Sequence, residues 1–222
     1  RLSAYVPVKF CNLPLMPTSG NFIINGSPRV VVHQMVRSPG VYLKRQTDAK
    51  NRDTFMVSFL AAYGSWLRFE TKRGPRVDNI MYVKIDNLRP LPVTLLLQAV
   101  GFSYADIIDA VYDPLLLMDT RDAVGWVKSR NEALIVMMSL LFPTRSATVK
   151  AGKKFLYDTL FNPRRYSFSK VGRKQVNRKL RLTCETNYLT LTPEDLLAGV
   201  DCLIRLKSGQ TDLLDDIDHL KN

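Results

Sequence analysis

"FIINGSPRVVVHQMVRSPGVY", residues 22–42, opens as a tight hairpin and closes on a Pro-Gly turn. Asn25-Gly26 is the strongest short hairpin signal, because both central residues of the two-residue turn tolerate positive φ. Successive strand side chains alternate faces, so a strand over 29–37 puts Arg29, His33 and Arg37 on one side. Val30, Val32, Gln34 and Val36 then share the other, apolar side. A row of cations opposite a valine face, with one amide among the valines, is an odd strand for a simple core. Ser38-Pro39-Gly40 turns the chain again. Two further strand-like runs follow in 54–70, broken near Tyr63-Gly64, and "IMYVKID" (80–86) is another.

From Pro90 the apolar period becomes helical. "VTLLLQAVG" (93–101) ends on a glycine stop, and Ser103 with Asp106 makes a capping box for the next helix. "NEALIVMMSLL" (131–141) is halted by Pro143, and Thr148 caps "VKAGKKFLYDTLF". Thr192-Pro193-Glu194-Asp195 is a cap, an N1 proline and an acidic first turn, for a helix to about Arg205 that stops at Ser208-Gly209. Strands followed by helices indicate an α+β chain: a β-rich hairpin segment, then a mixed α/β domain. The polar stretch "KRQTDAKNRD" (44–53) reads as a loop near a domain boundary. The boundary is expected near 40–50.

The 222 residues are 46% hydrophobic, enough for a real core. A net charge of +12 favours a polyanionic partner, nucleic acid before membrane. No apolar run approaches the ~20 residues of a membrane span. Cys11, Cys184 and Cys202 are scattered and odd in number, which argues for a reducing compartment and against structural zinc. The chain begins with Arg and ends at Lys221-Asn222, so it reads as a piece of something larger.

The basic run 164–181, "RRYSFSKVGRKQVNRKLR", holds eight Lys/Arg and no acid, leaving +4 for the other 204 residues. Two readings stand side by side: a solvated face, or phosphate contacts from Arg164, Arg165, Lys170, Arg173, Lys174, Arg178, Lys179 and Arg181. "DLLDDIDHL" (212–220) gathers carboxylates and His219, but it lacks the glycine and the twelfth-position glutamate of a calcium loop, so capping outweighs metal. Trp66 in "GSWLRFE" is either a core indole or a stacking platform for a base. No G-x-S-x-G, G-x-x-x-x-G-K-[ST] or G-x-G-x-x-G is present. No catalytic residue is assigned.

Several stretches, in order, resemble the β subunit of bacterial-type multisubunit RNA polymerase: "PLMPTSGNFIINGSPRVVVHQMVRSPGVYLK", "GSWLRFE", "FNPRRYSFSKVGRKQVNRKLRLT", "LTPEDLLAGVDCLI" and "DDIDHL". They span residues 13–220 and look most like the chloroplast and cyanobacterial branch. The resemblance implies the N-terminal part of that subunit: part of the protrusion (1–45), the lobe (46–208) and a return towards the protrusion (209–222). It implies a non-catalytic portion of a nucleotidyltransferase that walls the main channel. Arg37 would face nucleic acid near the RNA–DNA hybrid. Val32 and Gln34 would line a rifamycin pocket. Trp66 would meet the non-template strand, and Ile217 and Asp218 would take an unpaired guanine from it. No cofactor is expected in this chain, the magnesium being held by β′. The implied partners are α, β′, the remainder of β, a sigma factor, DNA and RNA, with no membrane. The implied location is the chloroplast, or else a bacterial cytoplasm.

Two departures stand out. "FPTRSAT" (142–148) occupies the place of the family's R-P-G-E/D-P-P-T, with Phe142 for an arginine. Lys221 replaces a glycine, and two arginines that follow in the family are absent, so the guanine pocket needs a second polypeptide or a continuation. The rival reading, from another class, is a stand-alone basic RNA-binding protein such as a ribosomal component; a small enzyme comes third.

Overall fold

The computed structural model describes residues 7–47, 53–72, 80–122, 127–215 and 220–221. The chain divides into two compact units, residues 1–36 with 220–222, and residues 37–219.

In the first unit, β1 (Phe22–Ile24) and β2 (Ser27–Arg29) pair antiparallel, with Phe22 opposite Arg29 and Ile24 opposite Ser27. Asn25 and Gly26 take φ of 51° and 79°, as the tight turn requires. The expected strand over 29–37 is not formed. Extended backbone becomes a strand only beside a partner, and β1 is three residues long, so its ladder with β2 ends at Arg29. Residues 30–35 carry no strand, and only Val36–Arg37 (β3) resumes extended pairing geometry. Arg29, His33 and Arg37 therefore do not share one strand face. The valines are not a buried face either: Val30, Val31 and Val32 are 67–75% exposed.

The second unit is built on a five-stranded antiparallel meander, β4 (Gly40–Thr47), β5 (Asp53–Leu60), β6 (Leu67–Lys72), β7 (Ile80–Ile85) and β8 (Leu91–Pro92), in that order across the sheet. Alternation sends Val41, Leu43, Phe55, Val57, Phe59, Leu67, Phe69, Met81, Val83 and Ile85 into one core. Lys44, Met56, Arg68, Tyr82 and Lys84 lie on the opposite side of the pleat, with Arg68 directly across from Lys84. The core is covered by α1 (Val93–Val100), α2 (Tyr104–Ala110), α3 (Leu115–Asp122), α4 (Arg130–Leu141), α5 (Val149–Leu156), α6 (Ser169–Leu180) and α7 (Pro193–Lys207). A π-turn, Tyr157–Phe161, continues α5, and β9 (Leu220–Lys221) ends the described chain.

The α+β class and most helix starts follow the sequence reading. Ser103 and Asp106 close a capping box, as do Thr192 and Asp195 with Pro193 in the first turn, and the Thr148 hydroxyl accepts from the Ala151 N–H. The boundary does not. Residues 44–47 are not a loop but the outer half of β4, which pairs without interruption from Gly40 through Thr47 with β5. β4 is an edge strand, and its charged end, with Arg45 2.6 Å from Asp53, gives the polar composition that mimics a loop. The two compact units meet between Val36 and Arg37, and residues 209–215 lie with the larger one.

Candidate nucleic-acid interface

The link between β5 and β6 is pinned to the segment that opens the basic run. Ala62 N–H donates to the Ser167 carbonyl at 2.8 Å, and Ser167 N–H donates to the Tyr63 carbonyl at 3.0 Å. The Tyr63 hydroxyl donates to the Pro163 carbonyl at 2.9 Å. Gly64, at φ 110°, sits so close that a Cβ there would lie 2.7 Å from the Arg165 carbonyl oxygen. Only glycine allows this approach, which sets the aromatic link beside the Arg164-Arg165 turn.

Trp66 is clamped by its backbone and leaves its indole in solvent. Its N–H donates to Asp86 Oδ1 at 2.7 Å, and its carbonyl accepts from the Asp86 N–H at 2.9 Å. Asp86 holds a left-handed φ of 46°. Trp66 is 54% exposed and the neighbouring Tyr63 51%. Of the two readings of Trp66, the core one is thereby removed. Exposed aromatics fixed beside exposed guanidiniums are what single-stranded nucleic acid needs: faces for bases and charge for phosphates.

The basic run divides in two. Arg164, Arg165, Lys170, Lys174, Arg178 and Arg181 are exposed. Lys170, Lys174 and Arg178 recur every four residues along α6, a stripe roughly 12 Å long at 1.5 Å per residue, and Arg181 follows the helix in a left-handed turn at φ 54°. Arg165 lies a long 3.7 Å from Asp158.

Arg173 and Lys179 are not phosphate contacts. Arg173 is fully buried. Its Nη1 lies 2.7 Å from Asp195 Oδ1, its Nε donates to the Tyr188 carbonyl at 2.8 Å, and its Nη2 donates to the Thr190 carbonyl. The guanidinium carbon stands 5.2 Å from the centroid of the Phe168 ring. Beside it, Gly172 lets α6 press on the turn before β4, since a Cβ would come within 2.9 Å of Pro39 Cβ. Tyr166 is buried in the same region, and desolvation, reinforced by the Asp195 carboxylate, holds its phenol well above its ordinary range. Lys179 is only 11% exposed and is paired with Asp215 at 2.5 Å.

Arg37 is exposed, with its guanidinium carbon 5.8 Å from the Tyr42 ring centroid. Val32 and Gln34 are exposed in the segment without strand structure. Ile217 and Asp218 lie outside the described residues. The altered turn is packed apolar: Phe142 meets Phe155 edge-on at 5.6 Å, and the Arg145 guanidinium carbon lies 5.1 Å from the Phe142 centroid. Among the described residues, no three His, Cys, Asp or Glu side chains converge on a metal-sized site.

Three carboxylates hold this surface: Asp86, Asp195 and Asp215. Asp195 was legible as a helix cap, and its second oxygen does accept from the Thr192 N–H at 2.8 Å. Nothing in the sequence links Asp86 to Trp66 or Asp215 to Lys179. Arg68 and Lys84 add two further cations on the outer pleat; the period-two spacing of each strand was the available signal.

Residues 37–222 match the family RNA polymerase Rpb2, domain 2. That match begins at Arg37, the same residue at which the larger compact unit begins. The DNA-directed RNA polymerase subunit beta of Ostreococcus tauri is 56% identical over 221 residues, covering 100% of this chain and 20% of that protein. The subunit of the same name from Rhodomonas salina is 43% identical over 213 residues, 95% of this chain and 19% of its own length. That from Prochlorococcus marinus (strain MIT 9515) is 40% identical over 215 residues, again 95% of this chain and 19% of its own. The chain therefore spans about a fifth of the length of the relatives it matches.

Proposed function

The chain belongs to the RNA polymerase Rpb2 domain 2 family of β subunits, and from that premise we propose that it works as the N-terminal portion of the β subunit of a plastid-type DNA-directed RNA polymerase. It contributes no catalytic group to the nucleotidyl transfer. Its part is to wall the channel and hold nucleic acid by charge and stacking, with magnesium chemistry left to β′. The observation that carries this reading is the match to β subunits along the whole chain, with the domain match starting where the folded unit starts. A stand-alone RNA-binding protein would not share 56% identity along its whole length with part of a subunit five times as long.

Within that reading the surfaces take separate tasks. The Trp66 indole stacks on a base of the displaced strand, with Tyr63 beside it. The α6 stripe and the Arg164-Arg165 turn hold phosphates without reading sequence. Arg37 faces nucleic acid near the hybrid, and Val32 and Gln34 border the drug-binding wall. Ile217 and Asp218 receive an unpaired guanine. The partners are α, β′, the remainder of β and a sigma factor, and the site of action is the chloroplast.

The test is the native particle. An epitope tag on this chain in its own organism should bring down α, β′ and the remaining β sequence in one transcribing complex. Recovery as a free monomer, or with ribosomes, overturns the proposal.

A further inference from the structure

Lys179 belongs to the basic run but faces β4. Its Nζ donates to the Val41 carbonyl at 2.8 Å, lies 2.5 Å from Asp215 Oδ1, and stands 5.0 Å from the Tyr42 ring centroid. Asp215 grips the same strand: Oδ2 accepts from the Leu43 N–H at 2.8 Å, and the Asp215 N–H donates to the Leu43 carbonyl at 3.0 Å. β4 is the first strand of its sheet. An ammonium and one aspartate thus satisfy three outward main-chain groups of an edge strand that has no neighbouring strand on that side among the described residues.

The strand so held carries more than itself. Between Val41 and Leu43 stands Tyr42, 1% exposed, whose hydroxyl donates to the Ser38 carbonyl at 2.7 Å. The Arg37 guanidinium lies against the same ring that Lys179 approaches. The contacts run without a gap from Lys179 through Tyr42 to Ser38 and Arg37. At the other end, Asp215 immediately precedes in sequence the run Asp216–His219.

We propose that Lys179 is a positioning residue: clasped to Asp215, it fixes the start of β4 and through Tyr42 sets where Arg37 stands on the nucleic-acid face. Stability alone is the plainer role for such a pair. The difference lies in the shared ring. A cation merely stapling α6 to the sheet has no reason to couple to Arg37, whereas a cation that sets the Tyr42 ring must. The inference rests on the reading of Arg37 as a nucleic-acid contact in the assembled polymerase.

The experiment is a double-mutant cycle on open-complex lifetime, in the assembled polymerase containing this chain, with Lys179→Met, Arg37→Ala and both together. Lys179→Met should shorten the lifetime, and the double variant should be no worse than the poorer single one. The expected coupling is about three- to tenfold, in the range for residues sharing one network. Lys179→Arg, which keeps the charge, should recover most of the lifetime. Asp215→Asn keeps an acceptor for the Leu43 N–H and removes the counter-charge, so it serves as the second cycle if Lys179→Met does not assemble. Losses that multiply independently, or a Lys179→Met enzyme with unchanged lifetime, overturn the inference and leave the reading of Arg37 intact. An Arg37→Ala enzyme with unchanged lifetime overturns that reading, and the positioning role falls with it.

Discussion

Arg173→Met should unfold the protein far more readily than any change to its neighbour Lys174. The side chain it replaces is fully buried, makes an ion pair with an equally buried Asp195, and serves the carbonyls of Tyr188 and Thr190. Methionine fills much of the volume and satisfies none of these groups. Removing one partner of a buried pair and stranding the other costs about 3–5 kcal/mol. Near ~2–4 °C per kcal/mol for a chain of this size, the midpoint should fall by roughly 6–20 °C. Urea unfolding of the purified chain, followed by far-ultraviolet circular dichroism, reads the loss directly. A second variant separates the stranded charge from lost packing. Asp195→Asn keeps an acceptor for the Thr192 N–H while removing the charge, so Arg173→Met/Asp195→Asn should be more stable than Arg173→Met alone. Lys174→Met, one residue on and exposed, should stay within about 0.5 kcal/mol of the parent. A loss below about 1 kcal/mol for Arg173→Met, well short of the range for a buried pair, would refute the assignment of Arg173 to the core. So would a double variant less stable than the single.

The exposed stripe makes the opposite prediction. Lys174→Gln/Arg178→Gln should leave stability unchanged and lower the salt slope of DNA binding by about two units or slightly less, measured on the assembled enzyme. Trp66→Ala should shorten open-complex lifetime on most templates, by the ~1–3 kcal/mol that a base–aromatic stack supplies. Asp86→Ala should do so in part, because it frees the backbone that aims the indole. Cys202 is buried, and desolvation beside Asp201 pushes its thiol up to about 11. At pH 8 the native protein should therefore be alkylated at exposed Cys11 and spared at Cys202, as mass spectrometry of iodoacetamide-treated chain would report. Gln34→Leu should weaken rifamycin inhibition of the assembled enzyme while transcription continues; equal inhibition removes Gln34 from the pocket.

The helix starts were legible because a cap is a local device. Ser103 with Asp106, and Thr192 with Pro193 and Asp195, satisfy orphan N–H groups within a few residues, so their chemistry is written in adjacent letters. Strand 29–37 failed for the converse reason. Alternating valines describe a surface that suits a sheet, but a strand exists only where a partner offers its ladder, and β1 is too short to offer one past Arg29. β4 was lost in the other direction: its charged outer half looks like a loop to composition and is a strand because β5 lies alongside. Trp66 was legible as an indole set just after a glycine break. Its clamp was not, since Asp86 lies 20 residues away in the turn after β7 and no periodicity joins them.

The basic run is the instructive case, because the information needed to divide it was present. Once a helix starts at Ser169, each residue turns the wheel by ~100°. On that wheel Gly172, Val176 and Leu180 mark an inward sector of roughly 80°, and Lys179 and Arg173 fall at its two edges. Lys170, Lys174 and Arg178 gather on the far side. Counting charge treated the eight cations as one population; phase separates two that meet the core from those that meet solvent. A cation at the edge of an apolar sector is a request for a buried carboxylate. The chain supplies two, Asp195 in the first turn of α7 and Asp215 just before its last described strand. The same run therefore does two jobs with one residue type. Its inward cations bind the C-terminal third of the chain to β4 and the 188–192 segment, and its outward cations are left at fixed four-residue intervals. That spacing is only as regular as the helix, and the helix is held in place by the two that face inward. Loss of the inward pairs should thus degrade nucleic-acid binding as well as stability, whereas loss of the outward cations should degrade binding alone.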